Sequence, residues 1–172
     1  RDRLTFLNFM EFAVWGAYLT SMGTYLASVG LASNIGWFYS MQGIVSIFMP
    51  ALMGIVADRW MEGQRVLSLC HALAGLFMIG ASVYAYQAGD AVQFGPLFTL
   101  YSMSVAFFMP TIALSYSVCY SALEGAGYDS VKAFPPIRVW GTVGFIITMW
   151  VVDGGFCYLL TMLIVKLIQI II

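Results

Sequence analysis

Charge is what this sequence has least of. Among 172 residues, seven are Lys or Arg and eight are Asp or Glu, a 9% share where soluble domains carry about 25%. That scarcity excludes a soluble enzyme domain, a nucleic-acid binder with its basic face, and a charge-rich disordered segment. Histidine occurs once, at His71. Cysteine occurs three times, at Cys70, Cys119 and Cys157, each inside an apolar run. One imidazole and three scattered thiols make neither a metal-ligand spacing nor a disulfide frame, so no cofactor or metal is expected. Also lacking are a Gly-x-Ser-x-Gly elbow, a His-Glu-x-x-His pair and a phosphate loop, and the enzymatic readings go with them.

What the sequence has instead is long apolar runs. Phe12 to Ala57 is free of charge for 46 residues, Val66 to Gly89 for 24 and Ala91 to Leu123 for 33. A membrane-crossing helix needs about 20 mostly apolar residues, so the first run holds two spans and each of the others one. The first apolar stretch continues to Leu26, too long for the apolar core of a cleavable leader.

The expected order is helix 1 over Leu4–Ala27, helix 2 over Gly36–Ala57, and a charged loop over Asp58–Arg65. Helix 3 follows over Val66–Gln87 and helix 4 over Gly95–Tyr120. A polar connection, Ser121–Phe134, leads to helix 5, which is expected to open at Pro135-Pro136 and end near Val152. After Asp153-Gly154-Gly155, Phe156–Ile172 forms a sixth apolar stretch of 17 residues, and the register of a helix 6 within 154–172 is unassigned. The class is an all-α membrane protein. Phe48-Met49-Pro50 recurs as Phe108-Met109-Pro110, which marks two helix kinks rather than a repeat.

Orientation follows from the positive-inside rule. With the N-terminus inside, the inner segments hold Arg1, Arg3, Arg59, Arg65 and Lys132, while the outer turns hold only Asp90 and Asp153. The N-terminus is therefore expected in the cytoplasm. Trp37 and Trp60 fall near span ends, where indoles anchor at the interface.

Few residues remain to carry chemistry. On helix 5, Arg138, Thr142 and Phe145 fall at i, i+4 and i+7 and share one face. They offer a cation with five donors, a hydroxyl and a ring, a set that suits a polar ligand containing a ring. The other reading is an arginine that snorkels to the inner surface. Gly141 and Gly144 lie on an adjacent face, where a second helix could approach closely.

On helix 1, Asn8, Glu11, Trp15, Tyr18 and Tyr25 form one polar and aromatic stripe. A carboxylate two turns into a span is costly. Glu11 is therefore either a proton-coupling or cavity-lining group, with Trp15 and Tyr18 beside it, or a structural carboxylate bonded to Asn8 or a neighbouring helix. Gln42 is a further candidate for an interior contact. His71, at the start of helix 3, is read as an interfacial or loop-contacting residue before a proton relay. Lys166 has no evident partner.

At the inner end of helix 2, Gly54 precedes Asp58-Arg59 by four residues. The glycine would let another helix approach, and Asp58 could cap a helix or pair with an arginine in one conformation only. Gly54, Asp58 and Arg59 are accordingly the candidate gating loop, against the alternative of an ordinary charged inner loop. This pattern resembles the loop signature of the major facilitator superfamily. Within that superfamily, three segments together resemble the bacterial nucleoside:proton symporters: Val14–Thr20, Phe48–Asp58 and Phe134–Ile146. The similarity runs from Leu4 to Asp153.

The resemblance implies the N-terminal six-helix half of a transporter built from two such halves. Residues 1–153 would supply helices 1 to 5 and residues 154–172 helix 6, with the C-terminal six-helix half outside this chain. It implies multi-pass residence in the bacterial inner membrane, with a nucleoside, a proton, the bilayer and the second half as partners. The matching arginine, threonine and phenylalanine of the family contact the nucleoside, which assigns that role to Arg138, Thr142 and Phe145. The position of Glu11 can hold a glutamine elsewhere in the family, which speaks against an obligatory proton carrier there. Transport of another polar solute such as a sugar, or a non-transporting receptor on the same scaffold, are the alternative functions.

Overall fold

Charge-free, largely apolar runs of 24 or more residues have one economical solution in lipid, the α-helix, because it satisfies every backbone N–H and C=O within the segment. A computed structural model describes residues 2–153. It contains five long helices: α1 (Asp2–Ser28), α2 (Ile35–Arg59), α3 (Gly63–Ala88), α4 (Phe94–Gly125) and α5 (Ser130–Asp153). No strand occurs among the described residues. The expected sixth helix, with Cys157 and Lys166, lies outside them.

Four of these helices, α2 to α5, are long and apolar enough to cross a membrane. The fifth, α1, has 27 residues and therefore the length, but Asn8, Glu11 and a series of hydroxyls lower its hydropathy. Those hydroxyls are accommodated locally. Thr20, Ser21 and Thr24 each donate to the carbonyl four residues earlier, so the helix itself absorbs their polarity.

The helix ends differ from expectation at two places. The polar connection expected over Ser121–Phe134 is much shorter, because α4 runs on to Gly125 and α5 begins at Ser130. Gly127 adopts φ +77°, and Tyr128 N–H reaches back to the Leu123 carbonyl at 3.0 Å, closing α4. This is the left-handed glycine stop that lets a helix satisfy its last carbonyls. Glu124, which argued for a loop, instead sits in the last turn and accepts from the Ser130 hydroxyl at 2.9 Å. The prolines consequently lie inside α5, beyond its first turn. The inner loop is likewise reduced to Trp60–Glu62, with Arg65 already in the first turn of α3.

In the bundle, α4 is the centre. On one side α3 and α2 pack along it, and on the other α1 lies along nearly the whole of α5. The main core contains Leu26, Phe38, Met78, Leu97, Tyr101 and Phe108, all fully buried. Tyr18 stacks on Phe108 with ring centroids 5.0 Å apart, and its hydroxyl lies 2.5 Å from Ser104 Oγ. Ser104 in turn donates to the Ala74 carbonyl at 2.7 Å, so one hydrogen-bonded seam ties α1, α4 and α3. The outward faces are as apolar as the core. On α2, Ile44, Ile47, Phe48, Leu52 and Ile55 are exposed. Such a face is unfavourable in water and favourable against acyl chains.

Candidate functional site

Arg138 is the only Lys or Arg among the described residues that is not exposed. It projects from α5 into a setting of rings rather than acids. Its Nε donates to the Tyr116 hydroxyl of α4 at 2.5 Å, and its guanidinium carbon lies 3.9 Å from the centre of the Phe12 ring on α1. Phe12 and Tyr116 face each other in near-parallel planes with centroids 6.3 Å apart. The cation is thus held by two ring faces and one phenol oxygen, an arrangement that suits guanidinium better than ammonium. No carboxylate among the described residues forms a salt bridge with it.

Thr142 lies one turn on, its Oγ1 3.4 Å from Nη1 of Arg138 and its side chain exposed. Phe145, half-buried, meets the Trp15 ring edge-on at 5.7 Å, and Trp15 meets Phe12 in the same manner at 5.7 Å. Arg138, Thr142 and Phe145 therefore share one face. A strip of α1 aromatics, Phe12 and Trp15, lies against that face. The indole Nε1 of Trp15 is buried without a hydrogen-bond partner among the described residues.

Glycine makes this geometry possible. A Cβ at Gly141 would sit 2.7 Å from the Phe12 ring, one at Gly16 would sit 2.9 Å from the Phe145 carbonyl oxygen, and one at Gly144 would collide with the Phe9 carbonyl. Removing three side chains brings the α1 and α5 backbones close enough for Phe12 to reach beneath Arg138.

Glu11 faces the other way. It is fully buried, with Oε2 3.0 Å from Nε2 of His71 on α3 and Oε1 2.5 Å from the Thr111 hydroxyl on α4. It thus bonds to neighbouring helices. Tyr18, grouped with it as a cavity residue, is in the packed core at 1% exposure. His71 is not interfacial: at 3% exposure it is buried, with Nδ1 2.9 Å from the Leu67 carbonyl. Burial follows because α3 begins three residues earlier than expected, which places His71 two turns inside the helix. Gln42 is buried on α2, its amide nitrogen without a partner among the described residues.

The inner loop departs from expectation in its contacts. Nothing lies within 4 Å of where a Cβ on Gly54 would be, so no described helix uses that gap. Asp58 does not cap α3, whose N-cap is Glu62, and Asp58 and Arg59 are both exposed. The one ion pair here, Glu62 with Arg65 at 3.5 Å, is a surface pair.

Sequence reasoning missed Phe12, Tyr116 and Thr111. Phe12 points about 100° away from the Glu11 stripe on which attention fell. Tyr116 and Thr111 carried no charge to draw attention within α4.

A membrane bundle in which the one sheltered Lys or Arg among the described residues lies among aromatic rings on glycine-packed helices has the build of a polytopic solute transporter. The family model described as "Nucleoside H+ symporter" matches residues 1–172, and the chain belongs to that family. The match extends past Asp153, the end of the resemblance carried by the segments above. The chain is 43% identical over 153 residues to the xanthosine permease of Escherichia coli (strain K12), covering 88% of this chain and 35% of the permease. It is 39% identical over 158 residues to the nucleoside permease NupG of the same organism, covering 90% of this chain and 36% of NupG. The crystal structure of the nucleoside transporter NupG superimposes with a TM-score of 0.82 at 35% identity, covering 98% of this chain and 41% of that one. The chain thus spans about a third of the length of the curated relatives it matches. Those relatives are permeases, not enzymes.

Proposed function

We propose that this chain is the N-terminal half of a nucleoside:proton symporter of the bacterial inner membrane, multi-pass and with its N-terminus in the cytoplasm. Helix 6 would lie in residues 154–172, and a second six-helix half would complete the substrate path. Support comes from family membership, from relatives named as nucleoside and xanthosine permeases, and above all from the state of Arg138. Among the described residues its five N–H donors meet only Tyr116 and, at a long 3.4 Å, Thr142. The remaining donors, the exposed Thr142 hydroxyl and the half-buried Phe145 ring form the polar and aromatic complement of a nucleoside.

In this reading Arg138 and Thr142 hydrogen-bond ribose hydroxyls or base carbonyls, and Phe145 stacks on the base. The two halves rock about the site to give alternating access, and the exposed Asp58-Arg59 segment makes contacts with the second half in one conformation. Labelled uridine accumulated by the full-length protein in vesicles under an imposed proton gradient tests this. Phe145→Ala is expected to lower apparent affinity about tenfold or more, the usual scale for losing a stacked ring. Uridine flux unaltered in Phe145→Ala would sink the site assignment, and binding without flux would favour a receptor.

Tyr116→Phe is a milder test of the same geometry. It removes the acceptor of the Arg138 Nε–H while keeping the ring. A hydrogen bond to a charged group is worth about 1.5–3 kcal/mol, but the freed N–H can reach the ligand or water. The expected result is a loss of uridine affinity of about three- to tenfold with unchanged expression, read by equilibrium binding.

A further inference from the structure

Glu11 and His71 stand apart from the Arg138 face, yet both are buried, Glu11 completely, and they are joined to each other. The Leu67 carbonyl can only accept, so Nδ1 of His71 carries a hydrogen. Nε2 then meets Oε2 of Glu11 at 3.0 Å, and that contact requires a proton between them, whichever atom owns it. Without that proton two lone pairs would face each other in a site shielded from water, and the tie between α1 and α3 would break. On the other oxygen, Thr111 Oγ1 lies 2.5 Å from both Oε1 and the Phe108 carbonyl, with one hydroxyl hydrogen to serve either. Just before it, Pro110 leaves the Ala106 carbonyl without its helical donor, which loosens α4 at this turn.

One member of this pair, His71, borders a cleft. That cleft, of about 730 Å³, opens at the end of the bundle that carries the N-terminus. It is lined by Asp2, Arg3, Gln64 and Ser68 and has His71 in its wall. Tyr116 and Cys119 on α4 lie within electrostatic reach of Glu11, and Cys70 on α3 is buried in the adjoining cluster. Asp2 and Arg3 on α1 line the cleft, Arg138 on α5 stands behind Tyr116, and α2 contributes nothing to the lining.

The two sites share helix turns. Glu11 is the immediate neighbour of Phe12, the ring beneath Arg138. Thr111 lies a turn and a half before Tyr116, the acceptor of the Arg138 Nε–H. A change at Glu11 thus acts on the same turn of α1 that carries Phe12, the ring on which Arg138 rests.

We infer that Glu11, His71 and Thr111 form a proton-binding site separate from the substrate site, loaded from the inner face through the Arg3–Gln64 cleft, and that its occupancy sets how α1 presents Phe12 to Arg138. This rests on the nucleoside site at Arg138 proposed above, and a proton that enters and leaves by the same cleft tunes binding there without crossing the membrane. The proton comes from water in the cleft and returns to it, and no other bond changes.

Two measurements on the full-length protein test the inference. The first needs no nucleoside: infrared difference spectra between about pH 5 and pH 8, the range in which imidazoles change charge. The expected result is a buried carboxyl band that changes with pH, is lost in Glu11→Gln and is displaced in His71→Gln and Thr111→Val. The second is uridine affinity across the same range, expected to vary about tenfold in the parent and less than about twofold in Glu11→Gln and His71→Gln. A spectrum with no Glu11-dependent band, or a pH dependence of affinity that survives in both variants, overturns the inference. The parent spectrum and Thr111→Val decide the matter even where Glu11→Gln does not fold. A pH-dependent Glu11 band in a protein that fails to bind uridine supports the proton site and counts against the symporter reading alone.

Discussion

Arg138→Ala is expected to abolish measurable nucleoside accumulation and to weaken nucleoside binding about 100-fold or more. The size follows from what the guanidinium supplies. Each hydrogen bond from a charged donor is worth about 1.5–3 kcal/mol in a sheltered site, and two of them correspond to a factor of about 100 or more in affinity. The cation already rests on the Phe12 ring and is oriented by Tyr116, so little ordering remains to oppose binding. Arg138→Lys is expected to fall nearly as far. An ammonium cannot keep both a flat stack on Phe12 and a directed bond to Tyr116 while still offering a fork to the ligand. Equilibrium binding in detergent, with proton-driven uptake in vesicles, measures both. Affinity within about threefold of the parent in Arg138→Ala would remove this residue from the site.

Gly144→Ala is expected to be the most damaging single methyl in the bundle. A Cβ there collides with the backbone carbonyl of Phe9, which cannot swing aside as a side chain can. Accommodation requires α1 and α5 to separate along their shared length. Overpacking of this kind costs about 1–3 kcal/mol and sometimes more. Here the displaced backbone also lifts Phe12 away from Arg138, so ligand binding is expected to fall together with the unfolding temperature. Gly43→Ala on α2 is the matched control. Nothing lies within 4 Å of its added methyl, and alanine is a better helix former than glycine by about 0.5–1 kcal/mol. Its unfolding temperature should hold or rise slightly. Equal unfolding temperatures for the two variants would contradict the close α1–α5 contact.

Much of the fold was legible before any coordinates. The charge-free runs of Phe12–Ala57, Val66–Gly89 and Ala91–Leu123 correspond to helices because a bilayer forces each crossing to satisfy its own backbone. The boundaries were less legible where local chemistry was ambiguous. Glu124 and the Pro135-Pro136 pair suggested a long loop. Yet Gly127 alone provides the turn, and Glu124 joins the two helices through Ser130. Polar residues mark either a loop or a helix end, and composition does not separate the two.

For the candidate site, the sequence by itself determined the Arg138, Thr142 and Phe145 face, since helical periodicity alone puts those side chains together. It also marked Glu11 as a costly carboxylate that either lines a wet path or is bonded within the bundle. Only the tertiary structure decided which residues these groups meet. Glu11 meets His71 across 60 residues and Thr111 across 100, and Arg138 rests on Phe12 from the far end of the chain. The physical reason is that periodicity records the direction a side chain takes from its own helix axis. Which helix lies in that direction is set by shape, here by glycines that let α1 settle against α5 and by the central position of α4.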